Sequence, residues 1–553
     1  MNQHKKMNMV TIQLMTSIFD KNSDLTISKT KAANTTQQLI TYDLYNAFKY
    51  NKLGYLNNIE IIDIYLLETI LELGKYHKNY FTNSQSIPEY GIKKHIQNIS
   101  QNNLFNNIDD YYQSNDFYDW IIEYSEQLKS NAVKTGVWEH YCQIELPFAI
   151  AMLNLTKNGI TLNTTLIDNI WSGIHEAKQK IYFALESNSL CGSTINDLND
   201  WINGYGYNEY FPAGRDNLTI QDISLLEDHH QVFKIFLRYE KVKRIENIIN
   251  KLKHTSTVFP KFMMIGSSTT RCTSRDPNIM GLPKIFRPIV IPSQKDYGIV
   301  ECDYAQMEVG IIAALANDKN LMYDFNNSDV YQTVGDFLFK RKDAASRKQA
   351  KIIFLGILYG LSKKTLAKRL SLNTNETESL LATLFNRYQA LLKFLSQTED
   401  FGKINGYSVN ITGLKRYRLK RYVEPTYWEK NWFKNFPVQA SASSVFKRAI
   451  VRINSALKSA DFNLLIPHYD AVVFEAPLNQ LKQYILNVKS CMVKSMQEYF
   501  PDLMPKISVN DYNPTCWNEE GQTNSVEQFL RNPLYGINLK EKRIGNIDWS
   551  EYI

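Results

Sequence analysis

The sequence predicts an α+β chain made of more than one folded unit, and three observations carry that expectation. A length of 553 residues exceeds what one hydrophobic core usually serves. Strand-type apolar runs, GIVECDY at 298–304 and the pair NLLIPHYD and AVVFEAP at 463–477, stand far apart in the chain. Between them, 329–406 reads almost entirely as helix.

Composition narrows the class. The hydrophobic fraction of 44% fits ordinary globular folding. No apolar run approaches the roughly 20 residues that span a bilayer, so no membrane partner is expected. The N-terminal MNQHKKMNMVTIQLM has a charge and a short apolar patch but no small-residue cleavage site after it, so no signal peptide is expected. Cys142, Cys191, Cys272, Cys302, Cys491 and Cys516 are scattered without a CxxC pair, which argues against a zinc site or a disulfide framework and fits a reducing, cytoplasmic compartment. The net charge of +7 says little by itself. Its distribution says more: Lys340, Arg341, Lys342, Arg347, Lys348 and Lys351 cluster, as does KRYRLKRY at 415–422, and such clusters neutralise phosphates or form a solvated helix face.

In chain order, the first 140 or so residues hold a strand-like stretch, IEIIDIYLL at 59–67, and helical patches. IELPFAIAMLNLTKNGI carries an apolar helical stripe that should end at Asn158–Gly159. Amphipathic helical text continues to about 254, and a polar loop rich in Ser, Thr and Arg then leads into GIVECDY and the helix EVGIIAALAND.

Two carboxylates fall at strand ends. Asp303 closes GIVECDY directly before a helix, and Asp470 sits at a tight break around 468–470 between two apolar runs. Phosphoryl transfer uses two hard divalent cations, and carboxylates are their preferred protein ligands. An Asp at a strand end is also a common turn or cap residue, so surroundings have to decide. Arg347, Lys351, Leu355 and Tyr359 recur every fourth residue and share one helical stripe. Its two cations suit a triphosphate, and Gly356 and Gly360 are expected to open room for a flat partner beside Tyr359.

Five blocks in order resemble the motifs of family A, DNA polymerase I-like, DNA polymerases. TTRCTSRDPNIMGLP at 269–283 is similar to TGRLSSTDPNLQNIP, and DYAQMEVG at 303–310 to motif A. RKQAKIIFLGILYG at 347–360 resembles motif B, KNFPVQASASSVFKRA at 434–449 the N-x-P-x-Q-G-x-A segment, and HYDAVVFE at 468–475 motif C. The resemblance implies a right-hand fold divided into thumb (144–262), palm (263–320 and again 410–553, including a tail), and fingers (321–409). It implies DNA-templated addition of dNTPs to a primer 3′-hydroxyl, with two Mg²⁺ ions, replaceable by Mn²⁺, on Asp303, Asp470 and the Tyr304 carbonyl. The expected partners are primer–template DNA and dNTPs, for a monomer with or without a processivity factor.

Residue by residue, Arg347 and Lys351 match triphosphate ligands, with Lys351 also placed to protonate the leaving pyrophosphate. Tyr359 matches the tyrosine beside the templating pair. Leu355 stands where the family has Phe or Tyr; an aliphatic side chain donates no hydrogen bond, so rejection of dideoxynucleotides is expected. Glu308 matches the gate against the ribose 2′-hydroxyl, and Gln306 is grouped with the nucleotide ligands. Arg271, Asn278, Asn435 and Gln439 match minor-groove residues, and Lys415, in TGLKRY, a backbone contact.

The departures are specific. In motif C, Tyr469 replaces the family's His and Ala471 its Glu. Gly310 replaces an Arg in motif A, and Met280 and Gly281 replace a Gln–Asn pair. The N-terminal 1–143 resembles a truncated 3′–5′ exonuclease-like (RNase H-like) domain in which QQLITYDLYNAF keeps Asp43, while Leu128 falls where a third-motif Asp is expected. One carboxylate cannot hold two metals, so no proofreading is expected. A phage or mobile-element replicon is the preferred setting, with repair or lesion bypass open. Two alternatives stand beside the main reading: a single-subunit RNA polymerase sharing the palm, and a decayed polymerase that only holds primer–template.

Overall fold

The computed structural model describes residues 10–15, 24–29, 37–41, 44, 59–73, 115–206, 220, 223, 230–419, 423–459, 461–510 and 515–517. Nearest the N-terminus, strands β1 (Val10–Met15), β2 (Asp24–Lys29), β3 (Gln37–Thr41) and β4 (Ile59–Asp63) form one sheet in that order. The first three run antiparallel and β4 lies parallel to β3. The strand expected over 59–67 stops at Asp63, whose carboxylate accepts from the Leu66 backbone N–H and starts helix α1 (Ile64–Leu71). A continuous apolar run does not itself distinguish strand from buried helix, and here the capping Asp decides. Helix α2 (Asn115–Thr135) packs on α1 and brings Leu128 into the core. Asp43 lies outside the described residues.

A π-helical turn at Tyr141–Glu145 leads into α3 (Leu146–Asn158), which ends where expected, with Gly159 at φ +69°. A Cβ at Gly159 would stand 2.6 Å from Thr257 Cγ2, so close approach as well as the left-handed backbone requires glycine. The short pair β5 (Ile160–Thr161) and β6 (Thr257–Val258) sits at that contact. Between them run α4 (Thr164–Ser187), α5 (Ile195–Gly204) and α6 (Gln231–Asn250). The buried stripe Ile167, Ile170, Ile174 and Ile181 of α4 packs α6, which buries Phe233, Phe236 and Val242.

A hairpin, β7 (Lys261–Met263) with β8 (Thr273–Arg275), precedes the central sheet. That sheet joins distant segments: β9 (Tyr297–Tyr304) enters first, and after it come α7 (Met307–Leu315), α8 (Lys319–Asn327), α9 (Val330–Phe339), α10 (Ala344–Leu358), α11 (Lys363–Leu370), α12 (Thr374–Arg387) and α13 (Gln389–Asn405). The chain returns through the hairpin β10 (Tyr407–Val409) and β11 (Lys415–Tyr417) and the 30-residue α14 (Tyr427–Ala456). Strands β12 (Asn463–His468) and β13 (Ala471–Pro477), helix α15 (Leu481–Tyr499) and β14 (Ile507–Asn510) complete the sheet in the order β12-β13-β9-β14, all pairings antiparallel. Helices α14 and α15 pack together, and α15 rests on β9, β13 and β14. β9 and β13 are buried along nearly their whole length, which is why both read as apolar runs rather than alternating strands.

Candidate active site

The order of the central sheet sets Asp303 and Asp470 side by side. Residues 469 and 470 form a two-residue hairpin loop, since His468 pairs directly with Ala471. Ala471 in turn pairs with Asp303, so the loop carries Asp470 to the end of β9, where the Tyr304 N–H donates to the Asp470 carbonyl at 3.3 Å. Tyr469 holds the loop with φ +63°, a backbone state that a bulky residue rarely adopts, and its side chain is exposed. The position that the sequence reading marks as a lost Glu lies directly opposite Asp303. Ala471 there is buried, and on the other side of β9 Ser508 pairs with Asp303.

Electrostatically the pair is short of positive charge. Burial, then the neighbouring Asp470 and Glu301, push the Asp303 carboxyl up to about 7, while Lys284 and Arg287 pull it down. Asp470 is also raised, by burial first and by Glu308, against the pull of Arg271 and Lys351. Among the described residues, Asp303 has no side-chain hydrogen bond or ion pair. Nor does any group of three His, Cys, Asp or Glu side chains there gather to hold a metal. Asp303, Asp470 and the Tyr304 carbonyl are nonetheless all hard oxygen donors, and a divalent cation of the Mg²⁺ type is ordinarily held by one or two carboxylates, with substrate phosphate and water completing its shell.

Glu308, in the first turn of α7, forms an ion pair with Arg271 from the loop between β7 and β8. Burial lowers the Arg271 pKa, but Glu308, Tyr359 and Asp470 outweigh it and hold the guanidinium above its ordinary value. Arg271, Glu308, Tyr359 and Asp470 therefore form one electrostatic neighbourhood, reached from four separate segments.

The stripe of α10 stands as its periodicity predicts. Arg347, Lys351 and Tyr359 are exposed and Leu355 is partly buried, while Ala350, Ile353, Phe354 and Leu358 pack inward. Tyr359 is the C-cap. The glycines, however, do not open room for a flat partner. Gly360 at φ +65° follows the cap, with Leu361 N–H donating to the Gly356 carbonyl at 2.8 Å and Gly360 N–H to that of Ile357 at 3.3 Å, a glycine-terminated helix end. A Cβ on Gly356 would meet Leu366 of α11 at 3.0 Å. One glycine ends the helix and the other lets the next helix approach.

Arg347 is engaged: its Nε and Nη2 donate to Asp329 at 3.1 and 2.8 Å, and the guanidinium lies 5.8 Å from the Tyr331 ring. Asp329 caps α9, and Gln306 accepts from the Val330 N–H at 3.1 Å. Gln306 thus braces α9 through the backbone. Lys351 has no ion pair among the described residues. Asn278 is exposed and caps a short 3₁₀ turn by accepting from Gly281 N–H at 3.0 Å. Asn435 and Gln439 lie on α14 with Oδ1 and Nε2 respectively buried and without a partner, an arrangement that marks a place for a ligand or ordered water.

The basic cluster at 415–422 is committed to the fold where it is described. Lys415 Nζ donates to the Thr135 carbonyl at 3.2 Å, Arg416 stacks 4.4 Å from Trp432, and buried Arg418 pairs with Glu429 at 2.8 Å. The backbone N–H of Tyr417 donates to the Leu73 carbonyl, so this hairpin docks the N-terminal unit.

Sequence reasoning missed Asp329 and Tyr331, and it missed a buried group beneath Asp303. There Glu301 accepts from Arg287 at 3.1 Å and from the Trp517 indole, and Arg287 lies 3.3 Å from His468 Nε2. Burial, Arg287 and Lys284 push His468 down to about 3, so its imidazole is neutral. The alternation that puts Glu301 on the same strand face as Asp303 was the one available signal.

The model of DNA polymerase family A matches residues 212–510. The chain belongs to DNA polymerase family A. It is 27% identical to DNA polymerase I of Bacillus subtilis over 285 residues, 46% of this chain and 32% of that protein. To the thermostable DNA polymerase I of Thermus thermophilus it is 23% identical over 409 residues, 67% of this chain and 48% of the relative. The chain thus spans less than half the length of these curated relatives. The POL domain of Pol1 from M. smegmatis, solved with DNA primer-template and dNTP, superposes with a TM-score of 0.65 at 17% identity, covering 84% of this chain and 82% of that one. The family A chain accordingly has the right-hand fold.

Proposed function

We propose that the chain is a DNA-templated DNA polymerase that extends a primer 3′-hydroxyl with dNTPs. The observation that carries the reading is the pairing of Asp303 and Asp470 at one sheet end, undersupplied with positive charge, with the open cationic stripe of α10 and the Arg271–Glu308–Tyr359 group in the same electrostatic neighbourhood.

Family A polymerases use divalent metal ions; here two Mg²⁺ would be held by Asp303, Asp470 and the Tyr304 carbonyl, with Mn²⁺ as a substitute. Bound there, they supply Lewis-acid stabilisation of the attacking and leaving oxygens. The remaining work falls to the chain. Lys351 holds the triphosphate and is placed to give a proton to the departing pyrophosphate. Arg347 adds a second cation once it exchanges Asp329 for phosphate. Tyr359 and Leu355 face the incoming base and sugar, Gln306 braces α9 beside them, and Glu308, fixed by Arg271, fills the space of a ribose 2′-hydroxyl. Asn435 and Gln439 present orphaned polar atoms to the minor groove, with Arg271, Asn278 and Lys415 as further DNA contacts. The division into thumb, palm and fingers at 144–262, 263–320, 321–409 and 410–553 belongs to the same proposal.

The N-terminal unit is proposed as an exonuclease-like remnant without proofreading. Three of its described carboxylates serve the fold: Asp63 caps α1, Glu60 pairs with Lys129 at 2.5 Å and Glu68 accepts from Tyr124. Tying of the hairpin 407–417 to Leu73 and Thr135 supports a scaffold role.

The deciding experiment is primer extension on a defined template, wild type beside Asp470→Ala, with deoxy- and ribonucleotides in parallel. Extension by dNTPs that Asp470→Ala abolishes is expected. Ribonucleotide-only extension would place the chain among RNA polymerases, and DNA binding without extension in Mg²⁺ or Mn²⁺ would make it a binding protein.

A further inference from the structure

Away from the paired carboxylates, the last turns of α14 and the middle of α15 leave an open cavity of about 430 Å³ between them. Arg448, Arg452 and Ser455 recur at i, i+4 and i+7 and so share one face of α14, while Cys491 and Lys494 line the cavity from α15. Val451 and Ala456 add an apolar wall. The lining therefore holds three cations and no carboxylate. None of these residues belongs to the constellation around Asp303 and Asp470. The connection to it is indirect: the Tyr304 hydroxyl donates to the carbonyl of Met492, the neighbour of Cys491, at 2.6 Å.

The positive charge there is only partly balanced. Arg448 Nε and Arg452 Nη2 donate to the same Glu498 oxygen, so one carboxylate serves two guanidinium groups. Arg452 Nε is buried without a hydrogen-bond partner, and Lys494 is exposed with no ion pair among the described residues. A buried N–H left without an acceptor costs free energy that a bound anion recovers. Arg452 and Lys494 both act on Cys491: burial raises its thiol pKa, and the two cations pull it back down. Three cations against one carboxylate leave an excess of two positive charges, which matches a phosphate monoester dianion better than a single carboxylate. The volume exceeds what one phosphate fills and falls within the range of about 300–1,000 Å³ typical of small-ligand sites.

We propose that the cavity between α14 and α15 binds a small phosphate dianion, held by Arg448, Arg452 and Lys494. Ser455 offers a further hydroxyl donor, and a group attached to the phosphate packs against Val451 and Ala456. A free nucleotide and inorganic phosphate share this chemistry, and the apolar wall favours the nucleotide. The site is separate from the α10 stripe, and it stands whether or not the chain extends primers.

The test uses Cys491 as a local reporter. Its alkylation by iodoacetamide is followed by peptide mass in metal-free buffer at about pH 8, where a phosphate monoester is a dianion. AMP, inorganic phosphate and adenosine are compared, with the exposed Cys191 as internal control. AMP at about 10 mM is expected to slow Cys491 about tenfold, the occupancy of a site with a Kd near about 1 mM, and to leave Cys191 unchanged. Adenosine, which lacks the phosphate, should give no protection. Lys494→Ala, at an exposed position, should raise the AMP concentration for half-protection about tenfold, and Arg452→Gln should abolish protection. A melting curve confirms that each variant is folded. Phosphate that protects only at much higher concentration than AMP supports the site and assigns it to a nucleotide; equal protection supports the site and assigns it to inorganic phosphate. Absence of protection by both, protection by adenosine equal to that by AMP, or full protection in both variants overturns the site. Protection in a chain that fails to extend primers would overturn the polymerase reading alone.

Discussion

Asp63 and Asp303 occupy the same kind of junction, the end of a strand that runs into a helix, and their carboxylates are treated in opposite ways. Asp63 is saturated: one oxygen accepts from Leu66 N–H and the other from Leu44 N–H, both at 2.9 Å, while Tyr141 donates to its backbone neighbourhood through a bond with Ile61. Asp303 receives no such donor among the described residues and instead faces Asp470 and Glu301. The lesson is that a carboxylate's neighbours, rather than its place in secondary structure, separate a cap from a metal ligand. The same contrast runs through the lysines. Lys447 is buried with Nζ 2.7 and 2.8 Å from the Glu145 oxygens, whereas Lys351 stands exposed on the stripe of α10.

The most direct way to break the comparison is Asp303→Asn. Extension is expected to fall by about 10³-fold or more, the scale of losing a charge-stabilising group in a phosphoryl-transfer site. The metal-free protein should lose no thermal stability, because a buried and unsupported charge has been removed. Single-turnover extension with a parallel melting curve checks both, and activity within about tenfold of wild type would show that Asp303 holds no metal.

Lys351→Ala should cost less, about 10²-fold in the efficiency of dNTP use, with folding unchanged because the side chain contributes no contact to the core. Steady-state kinetics with varied dNTP read this out. An unchanged efficiency would move the triphosphate role to Arg347 and the other cations of the cluster.

Asp63→Ala sharpens the other half of the comparison. It orphans two backbone donors, a cost of about 1–3 kcal/mol in unfolding free energy, visible in denaturant titration. Extension per folded molecule should be unaffected. A specific loss of extension at full stability would give the N-terminal unit a catalytic share that the saturated Asp63 carboxylate does not indicate.

The sequence disclosed the Asp303–Asp470 pair, the α10 stripe and the end of α3 at Gly159 because each depends on local periodicity or on a short motif. What it hid arose from tertiary pairing. That Asp329 would hold Arg347 is invisible at a separation of eighteen residues, since the contact depends on how α9 packs α10. The group of Arg287, Glu301, His468 and Trp517 draws on four separate segments, and no spacing rule connects them. The two glycines of motif B were misread for a related reason. Glycine signals freedom of the backbone, and only the packing tells whether that freedom ends a helix, admits a neighbour or leaves space.

The smallest effect comes from the pH dependence of Asp303, and its sign follows from linkage. The carboxyl is raised from an ordinary value of 3.8 to about 7, so between those values the folded chain binds a proton that the unfolded chain does not. Below this window both states are protonated and Asp303 contributes nothing. As pH climbs through it the folded state must give up its proton into a site that disfavours the charge, and stability falls. Above it the penalty stays constant. Other carboxylates, such as Glu145 and Glu429, are lowered in the fold and contribute slopes of the opposite sign. The informative quantity is therefore the difference in melting temperature between wild type and Asp303→Asn without metal, expected to widen by a few degrees from pH 4 to pH 7. Adding Mg²⁺ at pH 8 should close most of that difference by raising wild type alone, because the cation supplies the charge that the carboxylate pair lacks. A difference that stays flat with pH would mean that Asp303 is already compensated within the chain, and the contrast with Asp63 would disappear.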